Sequence, residues 1–243
     1  MGMGGFPSIK TFFLLLFKQL FPPACPLCGR PLSATDTDVL CDDCLAGFTP
    51  IPSSHCPLCA LPFTGKSNRP HLCGRCIRNR PAYEKVYSVG LYDQSLRRAI
   101  HHFKFNRKVG LDRSLGVLLE REVEADLPLD VVIPVPLHHK RLQQRSYNQA
   151  LLLAREFAKI RNLPVLTDLL LKVKETQSQQ GLSAKQRATN LQGAFAIQRS
   201  IENATVLLID DVLTTGATAD ACCQVLLTGG AKAVYVAVIG RAA

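Results

Sequence analysis

Two adjacent carboxylates, Asp210 and Asp211, precede a short hydroxyl-rich run, Thr214-Thr215-Gly216-Ala217-Thr218. By type and spacing these residues are the best equipped in the chain to do chemistry. Four apolar residues, Val206 to Ile209, come before them. That run reads as a buried strand delivering the carboxylates at its end, then a turn, then a helix from about Thr218. Backbone N–H groups of such a turn and of a helix N-terminus cradle a phosphate. The threonine hydroxyls add donors, and Gly216 lets the backbone approach closely or take positive φ. Asp210 and Asp211 cannot serve the phosphate itself, because like charges repel. They suit hydroxyl groups or a metal about one sugar away, which describes a ribose 5-phosphate site. The glycine–lysine loop of nucleotide hydrolases and the three-glycine dinucleotide fingerprint are both absent. The bland alternative, an Asp pair capping an ordinary strand-to-helix turn, accounts for one carboxylate better than for the whole pattern.

A second chemistry is written in cysteine. Of 10 cysteines, eight form four CxxC pairs: Cys25/Cys28, Cys41/Cys44, Cys56/Cys59 and Cys73/Cys76. The stretch CPLCGRPL from Cys25 recurs as CPLCALPF from Cys56, so the module is duplicated. Two thiolates on one tight turn reach one tetrahedral ion, and a second turn closes the shell. Each unit completes a four-cysteine zinc site with no position left for a substrate water, so both sites are structural. The duplication favours sequential pairing over an interleaved cross-brace. Disulfides and an iron–sulfur centre are the competing readings. Cys222 and Cys223 fall in the helix after the phosphate turn and read as small buried apolar residues.

Charge bounds the partners. Over 243 residues the chain carries 29 Lys+Arg against 19 Asp+Glu, a net +10, concentrated in the first two thirds. Eight thiolates and two Zn²⁺ bring this nearer about +6. A basic chain favours polyanionic or phosphorylated partners. Arg97, Arg98, His101, His102, Lys104, Arg107 and Lys108 interleave with Phe103 and Phe105. Cations that track a backbone and aromatics that stack on bases suit a single-stranded nucleic acid. Contact with a pyrophosphate, or a plain solvated face, explains the same stretch. A second basic stretch runs from His138 to Gln149 and offers Lys140 and Arg145 as anion contacts. The polar segment 176–190 reads as a flap or a DNA contact.

These groups need elements to hold them. The runs 86–93, 130–136, 205–210 and 233–239 read as strands. Residues 150–160 place Ala150, Leu153, Ala154, Phe157 and Ala158 on one helical face, and 218–229 reads as another helix. Alternating strand and helix implies an α/β domain with a parallel sheet in three layers, whose ligands bind at the carboxyl ends of strands. With hydrophobic residues at 47%, there is material for a core. We expect an N-terminal amphipathic segment over 1–22, a double zinc ribbon over 23–80 and the α/β domain over 85–243. In the first segment Ile9, Phe12, Leu16 and Leu20 fall at helical spacing, read as a cap on the ribbon rather than a membrane contact. Its apolar run is broken by Lys18 and is too short to span a bilayer. A cytoplasmic, reducing location is expected.

The segment VLLIDDVLTTGAT, from Val206, looks like the PRPP-binding motif of type I phosphoribosyltransferases. With the double CxxC module in front, the whole chain resembles the ComF family, a double zinc ribbon followed by a phosphoribosyltransferase domain. The stretches 95–108, 133–155 and 176–195 fit that family too. The resemblance implies that Asp210 and Asp211 hold the ribose 2′- and 3′-hydroxyls. Thr214, Thr215, Gly216, Ala217 and Thr218 would wrap the 5-phosphate. The turn Pro134–His138 would face pyrophosphate, and Mg²⁺ would be held mainly by PRPP oxygens and water. The chemistry would be displacement at C1 of the ribose as magnesium pyrophosphate leaves. Nothing marks the acceptor.

Three functions fit. One is a ComF-like factor in DNA uptake or utilisation that binds PRPP and single-stranded DNA, the latter through Arg97, Arg98, Lys104, Arg107 and Lys108. Its zinc module would dock on a DNA-uptake protein. Another is a phosphoribosyltransferase of nucleotide salvage without a DNA role. The third is a non-catalytic PRPP sensor, since a fold that binds PRPP need not transfer it. The first is the reading adopted.

Overall fold

A computed structural model describes residues 24–32, 40–65, 69–105, 110–176 and 190–243. The expected segment 1–22, Arg107, Lys108 and most of the polar stretch 176–190 lie outside the described residues.

The cysteine repeat folds as two copies of one unit. In the first, Gly29 N–H donates to Cys25 C=O at 2.8 Å and Cys25 N–H to Arg30 C=O at 2.8 Å. In the second, Ala60 N–H donates to Cys56 C=O at 2.9 Å and Cys56 N–H to Leu61 C=O at 2.8 Å. Each later CxxC pair opens a short helix, α1 (Asp42–Ala46) or α2 (Gly74–Arg78). The sulfurs gather as Cys25, Cys28, Cys41, Cys44 and as Cys56, Cys59, Cys73, Cys76, each set within 4.8 Å. The pairing is therefore sequential. All 10 cysteines are free thiols, which sets the disulfide reading aside.

The α/β domain follows. Its elements are β1 (Val86–Leu91), α3 (Gln94–Phe105), α4 (Leu111–Glu122), β2 (Val131–Pro134), α5 (His139–Arg145) and α6 (Gln149–Arg161). Then come β3 (Leu170–Lys172), β4 (Phe195–Ile197), β5 (Thr205–Leu213), α7 (Ala217–Thr228) and β6 (Ala233–Arg241). Four strands pair in the order β1-β6-β5-β2, all parallel. β3 and β4 form a separate antiparallel pair. The expected strands are present, but β5 runs on past the carboxylates to Leu213. β6 is the reason: it is itself longer than expected and pairs Asp210 with Val238 and Leu213 with Arg241.

Strand side chains alternate between faces, and the core divides accordingly. Val206 and Leu208 of β5 pack with Val234, Val236 and Val238 of β6 and with Ala219, Cys222 and Leu226 of α7. Leu207 and Ile209 pack on the other face with α3, α4 and α6, through Ile100, Phe103, Leu115, Leu153 and Phe157. All five residues of the face expected in α6 are buried. Each zinc unit joins one face. The first contributes Cys25, Leu27, Leu40 and Cys41 to the α3 side. The second contributes Cys56, Leu58, Cys59, Cys73 and Cys76 to the α7 side. The ribbon also reaches β1 through the backbone, since Val86 N–H donates to Leu58 C=O and Leu91 N–H to Thr49 C=O.

Candidate functional site

The two tetrads have the donors and the spacing for zinc. Four sulfurs about 2.3 Å from one ion stand about 3.8 Å apart in a tetrahedron. The Cys28 and Cys41 sulfurs lie 3.6 Å apart, and those of Cys59 and Cys73 lie 3.7 Å apart. Burial opposes ionisation of Cys25, but the backbone groups of Cys41, Cys28 and Leu27 favour the thiolate and bring it to about 7. Burial likewise opposes that of Cys73, and Cys76, Cys59 and Cys56 lower it to about 7, whereas burial raises the thiols of Cys44, Cys59 and Cys76. Each tetrad fits one structural zinc, with every coordination position filled by protein.

The carboxylates stand where β5 passes the carboxyl end of its neighbour β2, with Pro134 opposite Ile209. Because side chains alternate, the two acids leave the strand towards different faces. Asp211 turns to α3, where Lys104 meets its carboxylate at 2.6 Å, both side chains largely buried. Asp210 turns to the α7 side, within the field of Lys172 on β3. Burial first, and then the Asp211 charge, push Asp210 up to about 7 against the pull of Lys104 and Lys172. The Asp210 carboxylate also accepts from Asp211 N–H at 2.8 Å, which fixes its direction.

The turn follows at once. Gly216 caps α7 with φ 79°, the left-handed region that glycine enters without strain. A Cβ at this position would meet the Tyr83 hydroxyl at 3.1 Å. The Thr215 hydroxyl accepts from Ala217 N–H at 3.4 Å. The first N–H groups of a helix lack intrahelical acceptors, so α7 opens toward the turn as a donor set. Asp220 in its first turn accepts from Ala82 N–H at 2.7 Å, tying the chain after the ribbon to this helix.

The other expected site residues are placed as follows. Lys140 forms a surface ion pair with Glu175 at 2.5 Å. Arg145 ends α5, and its side chain lies outside the described residues. Arg97 and Arg98 are exposed on α3. Phe103 is 3% exposed and packs the core, so it offers no face to a base. Cys222 and Cys223 are fully buried, and burial raises both thiols well above their usual range.

Three residues at this site carry no local signal in the sequence: Lys172, Tyr83 and Arg241. Arg241 is 1% exposed at the end of β6. Its Nε donates to Cys59 C=O at 2.7 Å. Its Nη1 donates to Leu213 C=O at 3.2 Å, to Thr214 C=O at 2.9 Å and to Ala242 C=O. A lone arginine closing an apolar strand is the nearest thing to a clue.

Comparison with known proteins agrees with this architecture. Residues 16–77 match the double zinc ribbon domain and residues 147–242 the phosphoribosyl transferase domain. The protein thus joins a zinc ribbon pair to a type I phosphoribosyltransferase fold. It is 36% identical to Competence protein F of Haemophilus influenzae over 180 residues, 70% of this chain and 78% of that protein. It is 32% identical to DNA utilization protein YhgH of Escherichia coli K12 over 222 residues, 88% of this chain and 95% of that protein. Competence protein ComFC of Bacillus subtilis is 25% identical over 80% of each chain. The chain belongs to the ComF family. Among solved structures, glutamine PRPP amidotransferase of B. subtilis matches with 20% identity and a TM-score of 0.40, over 57% of this chain and 30% of that one.

Proposed function

We propose that the protein binds PRPP with Mg²⁺ at Asp210, Asp211 and the turn Thr214–Thr218, and serves the handling of incoming DNA. The observation that carries the ligand half is the junction of β5 and α7. Two carboxylates, one compensated by Lys104 at 2.6 Å, stand beside a glycine-capped helix start. In this reading the turn and α7 take the 5-phosphate, and the carboxylates take ribose hydroxyls. The Pro134–His138 turn, at the end of the adjacent strand, faces the pyrophosphate. Mg²⁺ supplies charge neutralisation of the pyrophosphate when bound. Lys140 and Arg145 would reach the same anion from α5. The DNA half rests on relatives named for competence and DNA utilisation. Arg97 and Arg98, exposed on the helix that carries Lys104, supply the cationic track. Lys104 belongs to the ligand half, since Asp211 already engages it.

Calorimetric titration of PRPP and Mg²⁺ into the zinc-loaded chain tests the first half. Binding lost in Asp210→Ala/Asp211→Ala supports it, and no binding by the intact chain refutes it. For the second half, affinity for a single strand should fall steeply with salt and weaken on charge reversal of Arg97 and Arg98. Indifference to both would remove it. A panel of base acceptors assayed for pyrophosphate release then separates transfer from sensing.

A further inference from the structure

We propose that Arg241 is a positioning residue, a strut through which zinc at the second tetrad orders the turn 214–218. The significance for ligand binding rests on the reading of that turn given above.

Arg241 is a buried cation, and no carboxylate among the described residues pairs with it. Burying an uncompensated guanidinium is costly, so its counter-charge must be near. The second tetrad is the candidate: Arg241 Nε holds the carbonyl of Cys59, the residue that supplies one of its four sulfurs. Four thiolates around one Zn²⁺ carry a net charge of about −2. Arg75, on α2 of the same zinc unit, brings a second cation beside Arg241 and Tyr83, with its Nη2 buried and unpartnered.

The far end of the same guanidinium holds the ligand turn. Its Nη1 grips the carbonyls of Leu213 and Thr214, at the point where β5 becomes the turn. Tyr83, 3% exposed, stands behind Gly216 and feels both Cys59 and Cys76 as well as both arginines. One planar fork thus spans the zinc knuckle and the turn, which no shorter or single-donor side chain can do. When the zinc centre is emptied, Arg241 loses its counter-charge and the knuckle that presents the Cys59 carbonyl loses its tie, so the turn loosens.

The test uses the zinc-loaded full chain and Arg241→Gln, with Arg241→Lys as the charge-keeping control. Release of zinc to a chelator is followed without any ligand. Release of one of the two ions should accelerate about tenfold in Arg241→Gln and by less in Arg241→Lys. Amide exchange over 212–217 should rise in step, with 131–135 unchanged. Release and exchange both equal to the parent chain would overturn the strut. A second measurement needs no variant: chelating the parent chain stepwise, exchange at 212–217 should rise on loss of the second ion and not the first. Equal rises at both steps would also overturn it. If the parent chain binds no PRPP while these effects persist, the ligand reading fails and the strut stands. If it does bind, PRPP should tighten the equilibrium affinity for that same ion by the factor by which the ion tightens PRPP.

Discussion

Cys28 of the first tetrad is exposed, whereas all four cysteines of the second are buried. The backbones of the two units are nevertheless copies, down to the paired hydrogen bonds at Cys25 and Cys56. What differs is the neighbour. The first unit leans on α3, the helix that sends Lys104 to Asp211. The second packs against α7 and the turn, and is joined to them by Arg241, Tyr83 and the Ala82–Asp220 bond. Each face of the sheet carries one metal unit and receives one of the two carboxylates. Duplication supplied two equal parts, and the sheet between them made them unequal.

The largest expected effect breaks that comparison outright. Cys76→Ser should lose one zinc and lower the melting temperature by about 10 °C or more, because the second centre lies inside the shared core. Cys28→Ser, at an exposed ligand, should lower it by about half as much and keep ligand affinity within about threefold. Zinc content, melting curves and PRPP titration of both variants decide. Equal losses would make the two tetrads interchangeable.

Gly216→Ala sharpens the contrast from the ligand side. Its φ of 79° costs about 1–2 kcal/mol with a Cβ, and the Tyr83 hydroxyl at 3.1 Å adds crowding. Denaturant melts should show that loss, and PRPP binding should weaken about tenfold or more. Adding Tyr83→Phe should recover the crowding part alone.

The carboxylate on the second face gives a pH signature. Asp210 is raised from 3.8 to about 7, so the folded chain holds a proton that the unfolded chain releases between those values. Its contribution to stability is complete below about pH 4 and is lost as pH rises through 7. Asp210→Asn should therefore raise the melting temperature at pH 8 by about 2–4 °C and change it little at pH 4. Ligand affinity, in contrast, should climb from pH 6 to 8 in the parent chain, where ionised Asp210 accepts from a ribose hydroxyl. That climb should be reduced in Asp210→Asn to what PRPP's own titration supplies.

The smallest effect lies in the knuckles. Gly29 has φ 81°, and its counterpart Ala60 has φ 55°. Ala60→Gly should stabilise by up to about 1 kcal/mol, and Gly29→Ala should destabilise by about the same. Chemical melts can resolve both.

The repeats of CxxC, the β-branched runs and the Asp-Asp-to-threonine stretch are all readable in the chain, because each is local. Strand periodicity alone separates Val206 and Leu208 from Leu207 and Ile209. The same alternation, carried one residue further, sends Asp210 and Asp211 apart. What stays hidden in the sequence is long-range. Lys104 is one cation among several in a basic stretch until α3 carries it to β5. Arg241 meets Cys59 across 182 residues, a distance at which a single sequence holds no pairing signal. The length of β5 depends on β6, since a strand continues as far as its partner does.

The two carbonyls that the ribbon offers to β1 have a consequence for the chain without metal. β1 is the outermost strand of the parallel sheet, and Leu58 and Thr49 occupy N–H groups on its open side. An uncovered flat strand is a template for another copy of itself. The zinc units are thus also a guard against self-association. A chain stripped of metal should therefore aggregate on chelation below its melting temperature, as the two carbonyls leave the β1 edge open.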